Sequence, residues 1–354
     1  MRDFKYLIAY IAPLSAIVAI YTGGFWSFSG FYIAFVAIPA LEFLMRGTTE
    51  NVANEEETVR EHRGIFDAML YFNLPLLYFI IFIFLQKIAA GGLQTYEIVG
   101  MTLSVGIVCG VLGINVAHEL GHRETPHEQF MSKILLISSH YMHFFIEHNR
   151  GHHKNVSTDE DPASSRLGEN VYAFFVRSVV GSYVDAWRLE NERLRKAGKS
   201  VFSFSNEMIW YQVIQAAYIG GIGLYFGSLA MLCAIVAGIV GFLLLELVNY
   251  IEHYGLRRNK NESGRYEKVM PYHSWNSNHE LGRIFLYELT RHSDHHYKAT
   301  RKYQILRHFD ESPQLPLGYP GSMLLALVPP LWFALMDKEV AKFNQSFSNQ
   351  AVMS

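Results

Sequence analysis

The sequence predicts an all-α integral membrane protein with six transmembrane helices and a histidine-rich cap on the cytoplasmic side. Half of the 354 residues are hydrophobic and only 18% are charged, whereas about a quarter is usual in soluble proteins. The apolar residues form runs long enough to cross a bilayer, which takes about 20 residues. These runs cover residues 6–22, 25–45, 68–88, 97–117, 209–226 and 229–250. We interpret the chain as one domain, 1–354, whose segments 118–208 and 251–354 form the cap.

The distribution of Lys and Arg orients these helices. The turns at residues 23–24, 89–96 and 227–228 contain neither, and Lys87 is the only basic residue near that side. The positive-inside rule therefore places the opposite side, with both termini and the cap, in the cytoplasm. The net charge of −2 gives no sign of nucleic acid binding.

Cysteine usage excludes several kinds of cofactor site in this chain. Only Cys109 and Cys233 are present, each inside an apolar run, and no CxxC pair occurs. A cysteine-ligated zinc, iron–sulfur or rubredoxin centre is therefore not expected. A glycine-rich nucleotide-binding motif is also missing, so electrons for a redox reaction would have to come from a partner or from a domain outside this chain.

Histidine is the residue type that points to function. Of sixteen histidines, eight lie in three short strings: HELGH at 118–122, HNRGHH at 148–153 and HSDHH at 292–296. Histidines four residues apart lie on one helix face and can share or flank one metal. Adjacent histidines point about 100° apart around the axis and can serve two metals. The strings therefore predict a two-metal site built from His118, His122, His148, His152, His153, His292, His295 and His296.

Polar residues beside these strings are candidates for supporting the ligands or the reaction. Ligand histidines commonly hydrogen-bond to a carboxylate, a backbone carbonyl or water, and the acidic side chains next to the predicted ligands are Glu119, Glu147, Glu252 and Asp294. Formation of a surface ion pair would explain the presence of each of these four acidic residues about equally well. Our candidate catalytic residues in this supporting sense are Glu119, Asn249 and Asp294.

The other histidines are given different interpretations. We interpret His62, His127 and His308 as ordinary side chains that face solvent or have their hydrogen bonds satisfied. Whether the remaining ones shape the site is left open for His140, His143, His273 and His279.

Two other functions fit parts of the sequence. HELGH matches the zinc-protease signature H-E-x-x-H, with Glu119 as general base, but this site would leave six of the eight histidines unexplained. A metal transporter would place ionisable residues near the bilayer midplane, where these spans have almost none.

At its histidine strings the chain resembles the integral-membrane alkane hydroxylases. This alkane 1-monooxygenase family lies within the membrane fatty acid desaturase and hydroxylase superfamily. The motif NYIEHYGL at 249–256, which contains His253, favours alkane hydroxylases over the other members. Thr290 and Tyr297 depart from the pattern beside the third string. The matching stretches are HELGHR (118–123), FFIEHNRGHHKNVSTDEDPASSR (144–166), NYIEHYGL (249–256), HSWNSNH (273–279), RHSDHHY (291–297) and LPLGYPG (315–321).

The resemblance implies a cofactor, a reaction and partners. It implies a non-haem di-iron centre that uses O2 to hydroxylate the terminal carbon of linear alkanes in a bacterial inner membrane. Rubredoxin, with its reductase upstream, is the implied electron donor. The implied ligands to the two irons are His118, His122, His148, His152, His153, His253, His292, His295 and His296.

Two details of the expected function rest on side chains outside the ligands. The main alternative is a lipid or acyl desaturase, or another hydroxylase with the same three histidine strings. Against a desaturase, the apolar spans offer almost no polar anchor at mid-depth for an acyl head group. Basic residues of the cap form an expected docking surface for an acidic electron donor, and they are Arg188, Arg193, Arg195, Lys196, Arg257, Arg258, Arg301 and Lys302.

Overall fold

A computed structural model gives the fold for residues 2–45 and 47–353; Met1, Arg46 and Ser354 lie outside the described residues. Apart from two isolated bridges, the regular structure in the described residues is helical, which confirms the predicted fold class. The helices are α1 (Asp3–Thr22), α2 (Gly24–Leu44), α3 (Asn54–Glu61), α4 (Gly64–Ala90), α5 (Thr95–Gly121), α6 (Pro126–Ile137), α7 (144–155), α8 (Val171–Lys196), α9 (Glu207–Phe226), α10 (Ser228–His253), α11 (Glu280–Phe285), α12 (His292–Tyr297), α13 (Tyr319–Ala326) and α14 (Pro329–Met353).

Five of these helices, α1, α2, α4, α5 and α10, are long and apolar enough to cross a membrane. They make the chain an integral membrane protein. The sixth predicted span falls on α9, which has 20 residues but is interrupted by Gln212 and Gln215. The Gln215 side chain accepts a hydrogen bond from the backbone of Met142 at 3.0 Å, so this face of α9 packs against protein. The number of six spans therefore remains a prediction.

The turn between α1 and α2 lies beside the turn between α4 and α5. Glu97 connects them, because its carboxylate accepts hydrogen bonds from the backbone N–H groups of Gly24 at 2.6 Å and Gln94 at 2.9 Å. Gly23 and Gly24 take positive φ angles of 63° and 56°, which glycine adopts without steric cost. The two turns without Lys or Arg thus share one end of the bundle.

Helices α5 and α10 form the centre of the bundle and position the site. They pack closely because α5 presents glycine to α10: a Cβ atom on Gly106 would lie 2.6 Å from Cβ of Val240. Small residues allow this close approach between membrane helices. As a result, the end of α5, with His118, and the end of α10, with His253, reach the cap side by side.

A buried ion-pair network fastens the cap to the start of α1. Glu288, which is 2% exposed, accepts hydrogen bonds from Lys5 at 2.7 Å, Tyr6 at 2.8 Å and Arg283 at 2.6 Å. Although burial raises the pKa of Glu288, the charges of Arg283, Lys5 and Arg291 lower it to about 2. This network holds the segment that leads into α12.

We expect Glu288→Gln to destabilise the protein by about 3–5 kcal/mol, because it leaves the buried Arg283 guanidinium without its charge partner. The matching change at the half-buried Glu339, which pairs with the exposed Lys342, should cost less than about 1 kcal/mol. Because the folded pKa is depressed, the stabilisation from Glu288 is present above pH 4.5 and lost as pH falls towards 2. Thermal unfolding in detergent across this range measures it; a constant difference between wild type and variant would contradict the ionic origin.

Candidate metal centre

The structure gathers nine histidines into two groups at the cap end of the bundle. Within each group the candidate ligand atoms all lie within 4.8 Å of one another. One group, the five-histidine group, consists of His118, His122, His148, His153 and His295. The other, the four-histidine group, consists of His152, His253, His292 and His296. Both groups could hold a metal ion, and together they contain the same nine histidines that the resemblance implies.

The adjacent histidine pairs divide between the two groups. His152 and His296 belong to the four-histidine group, whereas His153 and His295 belong to the five-histidine group. Neighbouring side chains on a helix point about 100° apart, so each pair reaches in two directions. The prediction that adjacent histidines serve two different metal positions agrees with this geometry.

The second string differs from the other two in how its histidines four residues apart are grouped. His118 and His122 share a group, as do His292 and His296, but His148 and His152 do not. The reason is a π-helical turn over His148–His152, in which the N–H of His153 bonds to the carbonyl of His148. This wider turn connects residues five apart instead of four. His148 therefore joins His153, with 3.1 Å between their Nε2 atoms.

The distances between ring nitrogens fit metal ligation. In the five-histidine group, Nε2 of His148 lies 3.1 Å from Nε2 of His122, and Nε2 of His295 lies 3.1 Å from that of His153. In the other group, the Nε2 atoms of His296 and His292 are 2.8 Å apart. Two nitrogens each about 2.1 Å from one ion at a right angle would be about 3.0 Å apart. Nε2 atoms that face one another in this way present their lone pairs to a common centre, which suits a cation.

Burial favours the neutral form of several of these imidazoles. Burial, reinforced by the neighbouring histidines, lowers the pKa of His122 to about 3. The same causes, burial first, lower the pKa values of His148, His153 and His295. Because the ligand form of histidine is the neutral one, the nitrogens are available to a metal at neutral pH.

Asp161 orients one of the ligand candidates, although it was not among the predicted site residues. Its carboxylate lies 2.9 Å from Nδ1 of His152, the nitrogen that faces away from the group. Ser164 donates a further hydrogen bond to the same carboxylate oxygen. Hydrogen bonding at the outer nitrogen fixes the tautomer and orientation of a ligand histidine. The only signal in the sequence was an acidic residue nine positions after His152, inside the run DED at 159–161.

The predicted supporting residues occupy three different environments. Glu119 accepts hydrogen bonds from Arg123 at 2.7 Å and from the backbone of Tyr303 at 3.2 Å. Asp294 accepts two hydrogen bonds of 2.8 Å from Arg301. Asn249 lines the cavity described below. In the described contacts, Glu119 and Asp294 therefore hold cap segments around the histidines, and Asn249 faces the space beside them.

The remaining histidines lie outside both groups, as predicted for three of them. His308 pairs with Asp310 at 3.2 Å, and His273 lies 3.4 Å from the carboxylate of Glu267. These seven histidines are His62, His127, His140, His143, His273, His279 and His308.

An apolar cavity leads from the membrane helices to the histidines. Its walls come from α1, α2, α5, α10 and α13, with Ile107, Val111 and Ile114 following one another along α5. At the cap end the cavity meets His118 and His148 of the five-histidine group and His292 of the four-histidine group. One apolar space thus borders both candidate metal positions.

Two further π-helical segments line this cavity. They are Ile33–Ala37 in α2 and Cys109–Asn115 in α5. Such segments within α-helices are frequently found at functional sites. The wider turn in α5 comes immediately before the turn that carries His118, so it affects both the cavity wall and the position of a ligand candidate.

Comparison with known proteins agrees with this architecture. The fatty acid desaturase family matches residues 95–321, which include all nine histidines. Alkane 1-monooxygenase 2 of Pseudomonas aeruginosa is 40% identical over 326 residues, covering 90% of this chain and 85% of that protein. Alkane 1-monooxygenase of Pseudomonas putida is 37% identical over 347 residues, covering 97% and 86%. The hydroxylase component of the Pseudomonas putida xylene/toluene monooxygenase is 28% identical over 342 residues, covering 96% and 89%.

The fold and the histidine groups define a membrane protein of the fatty acid desaturase and hydroxylase type. Within that class, the identities over almost the whole chain place it more narrowly: it belongs to the alkane 1-monooxygenase family.

Proposed function

We propose that this protein is a non-haem di-iron alkane 1-monooxygenase. The observation that carries the proposal is the apolar cavity that ends at the two histidine groups. The overall reaction consumes an alkane, O2, two electrons and two protons, and yields a primary alcohol and water. The five-histidine and four-histidine groups would each hold one iron. When bound, the two irons supply the activation of O2 that C–H oxidation requires.

The cavity walls bind and orient the substrate. Burial of the chain contributes about 0.8 kcal/mol per methylene group. A linear alkane lying along α5 would direct one end towards His118. Holding that end beside the oxidant favours attack at the terminal carbon, because fixed geometry alone can supply several kcal/mol. The apolar lining also excludes water from the reacting carbon.

The same lining argues against a charged acyl substrate. The polar residues at the cavity wall are Ser15, Asn115, Asn249, Glu252 and Tyr319, besides the histidines. Among the described lining residues there is no Lys or Arg that could bind an acyl carboxylate or phosphate. A substrate without a head group therefore fits better than the substrate of a desaturase.

The test is product analysis of the purified protein with a medium-chain linear alkane, a reductant and ¹⁸O-labelled O2. We expect the primary alcohol as the main product, carrying the label, and iron as the bound metal. A dominant alkene, a secondary alcohol or unlabelled oxygen would contradict the proposal. Stoichiometric zinc with full activity would contradict the di-iron assignment.

Rubredoxin is the electron donor that we propose, and the five-histidine group is the closer of the two to the surface. His122 and His153 are partly exposed, whereas the other seven ligand candidates are buried. Lys154 and Lys298 are exposed immediately beyond the ligand histidines. Arg258 and Arg301, which we expected in the docking surface, instead bond to backbone carbonyls and to Asp294. Lys154 and Lys298 are therefore better candidates for contact with an acidic donor.

The double variant Lys154→Glu, Lys298→Glu should lower turnover with rubredoxin roughly tenfold at low salt, because surface charge mainly accelerates association. The loss should shrink as ionic strength rises. Turnover with a small chemical reductant should stay unchanged, as should turnover of the control Lys342→Glu on α14. Equal losses with both donors would mean that these lysines support the site itself.

We also propose a bacterial inner membrane location with both termini in the cytoplasm. The shared position of the two turns that lack Lys and Arg supports this orientation. Single cysteines introduced at Gly91 and Ser205 should label from opposite sides of the membrane. Labelling from the same side would contradict the topology.

A further inference from the structure

We infer that Glu252 is a tenth protein ligand, binding the metal of the four-histidine group through a carboxylate oxygen. The inference deepens the proposed function and rests on it. Glu252 Oε2 lies 3.1 Å from Nε2 of His292. That nitrogen is the inward-facing one, because it also lies 2.8 Å from Nε2 of His296 and 3.4 Å from Nε2 of His253.

The position of the carboxylate relative to the ring distinguishes a ligand from a supporting residue. Asp161 lies against the outer nitrogen of His152, Nδ1, where it can orient the ring but cannot reach the metal. Glu252 lies against the inner nitrogen of His292. An oxygen and a nitrogen bound to one ion at about 2.1 Å and at a right angle are about 3.0 Å apart. The separation of 3.1 Å therefore fits two donors to the same ion.

The surroundings of Glu252 also fit ligation. The residue is 1% exposed, and its other oxygen, Oε1, accepts a hydrogen bond of 2.6 Å from Tyr319. A buried carboxylate is costly unless a cation or several donors compensate its charge. Carboxylates that bind metals are commonly held by such a hydrogen bond from behind. Tyr319 would orient Oε1 and leave Oε2 directed towards the metal.

Glu252 approaches the four-histidine group from the cavity. It lines the cavity together with His292, and with His118 and His148 of the other group. With Glu252 included, each metal position has five protein donors. The two positions remain chemically different, because one has five neutral nitrogens and the other has four nitrogens and an anionic oxygen.

Mössbauer spectroscopy of the protein loaded with ⁵⁷Fe tests this assignment without relying on activity. In the wild type we expect two ferrous quadrupole doublets of equal area. In Glu252→Gln one doublet should change and the other should stay. The iron of the changed site should also be lost to a chelator at least tenfold faster. Even residues that only hydrogen-bond to a metal ligand alter metal affinity by about 10–100-fold when they are replaced.

The matched control is Glu246→Gln, which removes a carboxylate that is equally buried on the same helix but bonds to Tyr141. It should leave both doublets unchanged. Tyr319→Phe keeps the carboxylate and should alter the same doublet as Glu252→Gln, so it provides a second test if the first variant does not fold. Two unaltered doublets and unaltered chelation in these variants would overturn the assignment of Glu252. A wild type that binds no iron, or a single iron, would instead overturn the proposed di-iron function.

Discussion

Replacing His295 by Ala should remove the metal of the five-histidine group, and replacing His296 by Ala should remove that of the four-histidine group. The two side chains are neighbours on α12, but their Nε2 atoms approach different partners, His153 and His292. Each variant should retain about one iron per chain instead of two. Activity should fall more than a hundredfold, because losing a metal ligand costs more than losing a residue that only hydrogen-bonds to a ligand, which already costs about 10–100-fold. Iron analysis and turnover measure both effects.

His308→Ala is the control for these variants. His308 lies outside both groups and pairs with Asp310, so its replacement should change neither iron content nor turnover appreciably. If the His295 and His296 variants both kept two irons and full activity, the assignment of the two groups as metal sites would be wrong.

Filling the cavity at Ile107 should shorten the longest alkane that the enzyme accepts. Ile107 lines the cavity and precedes His118 by eleven residues, which corresponds to about 16 Å along the helix. Trp at this position would occupy space far from the histidines. Excluding two methylene groups removes about 1.6 kcal/mol of burial, or roughly tenfold in kcat/KM. Alkanes that end before this position should be oxidised at the original rate.

Competition between linear alkanes of different length measures the effect. Ile107→Ala should act in the opposite direction and favour longer chains. Val99→Trp is the matched control, since Val99 lies on the same helix and is 47% exposed on its outer surface. A uniform loss for all chain lengths in Ile107→Trp, or an equal effect from Val99→Trp, would mean that the cavity does not set chain length.

The membrane helices were predictable because their signal is local. Each predicted apolar run falls within a helix of the structure except at residue 45, which follows the end of α2 at Leu44. The other differences are also confined to the ends: α4 begins at Gly64 rather than residue 68 and α5 continues to Gly121 rather than 117. The extension of α5 is explained by burial of His118 and Glu119, since polar residues can continue a helix where protein covers them. Amino-acid composition alone does not show where other parts of the protein bury the end of a helix.

The histidines of the site could be predicted, but not all of their partners. The adjacent pairs in the second and third strings indicated two metal positions, and the structure separates both pairs. The separation of His148 from His152 depends on a π-helical turn, which has no recognised signal in the local sequence. The contacts of Asp161 and Glu252 depend on how distant segments meet: Tyr319 is 67 residues from Glu252 in the chain.

The π-helical turn at His148–His152 has a consequence for how this segment tolerates change during evolution. The extra residue in the turn lets one short stretch of helix contribute to both candidate metal positions, with His148 and His153 in one group and His152 in the other. Deleting a residue between them would restore α-helical bonding and rotate the downstream histidines by about 100°. Substitutions at Asn149 or Arg150 leave this register intact. Insertions and deletions, rather than substitutions of non-ligand residues, are therefore the changes that selection should remove most strongly from this stretch.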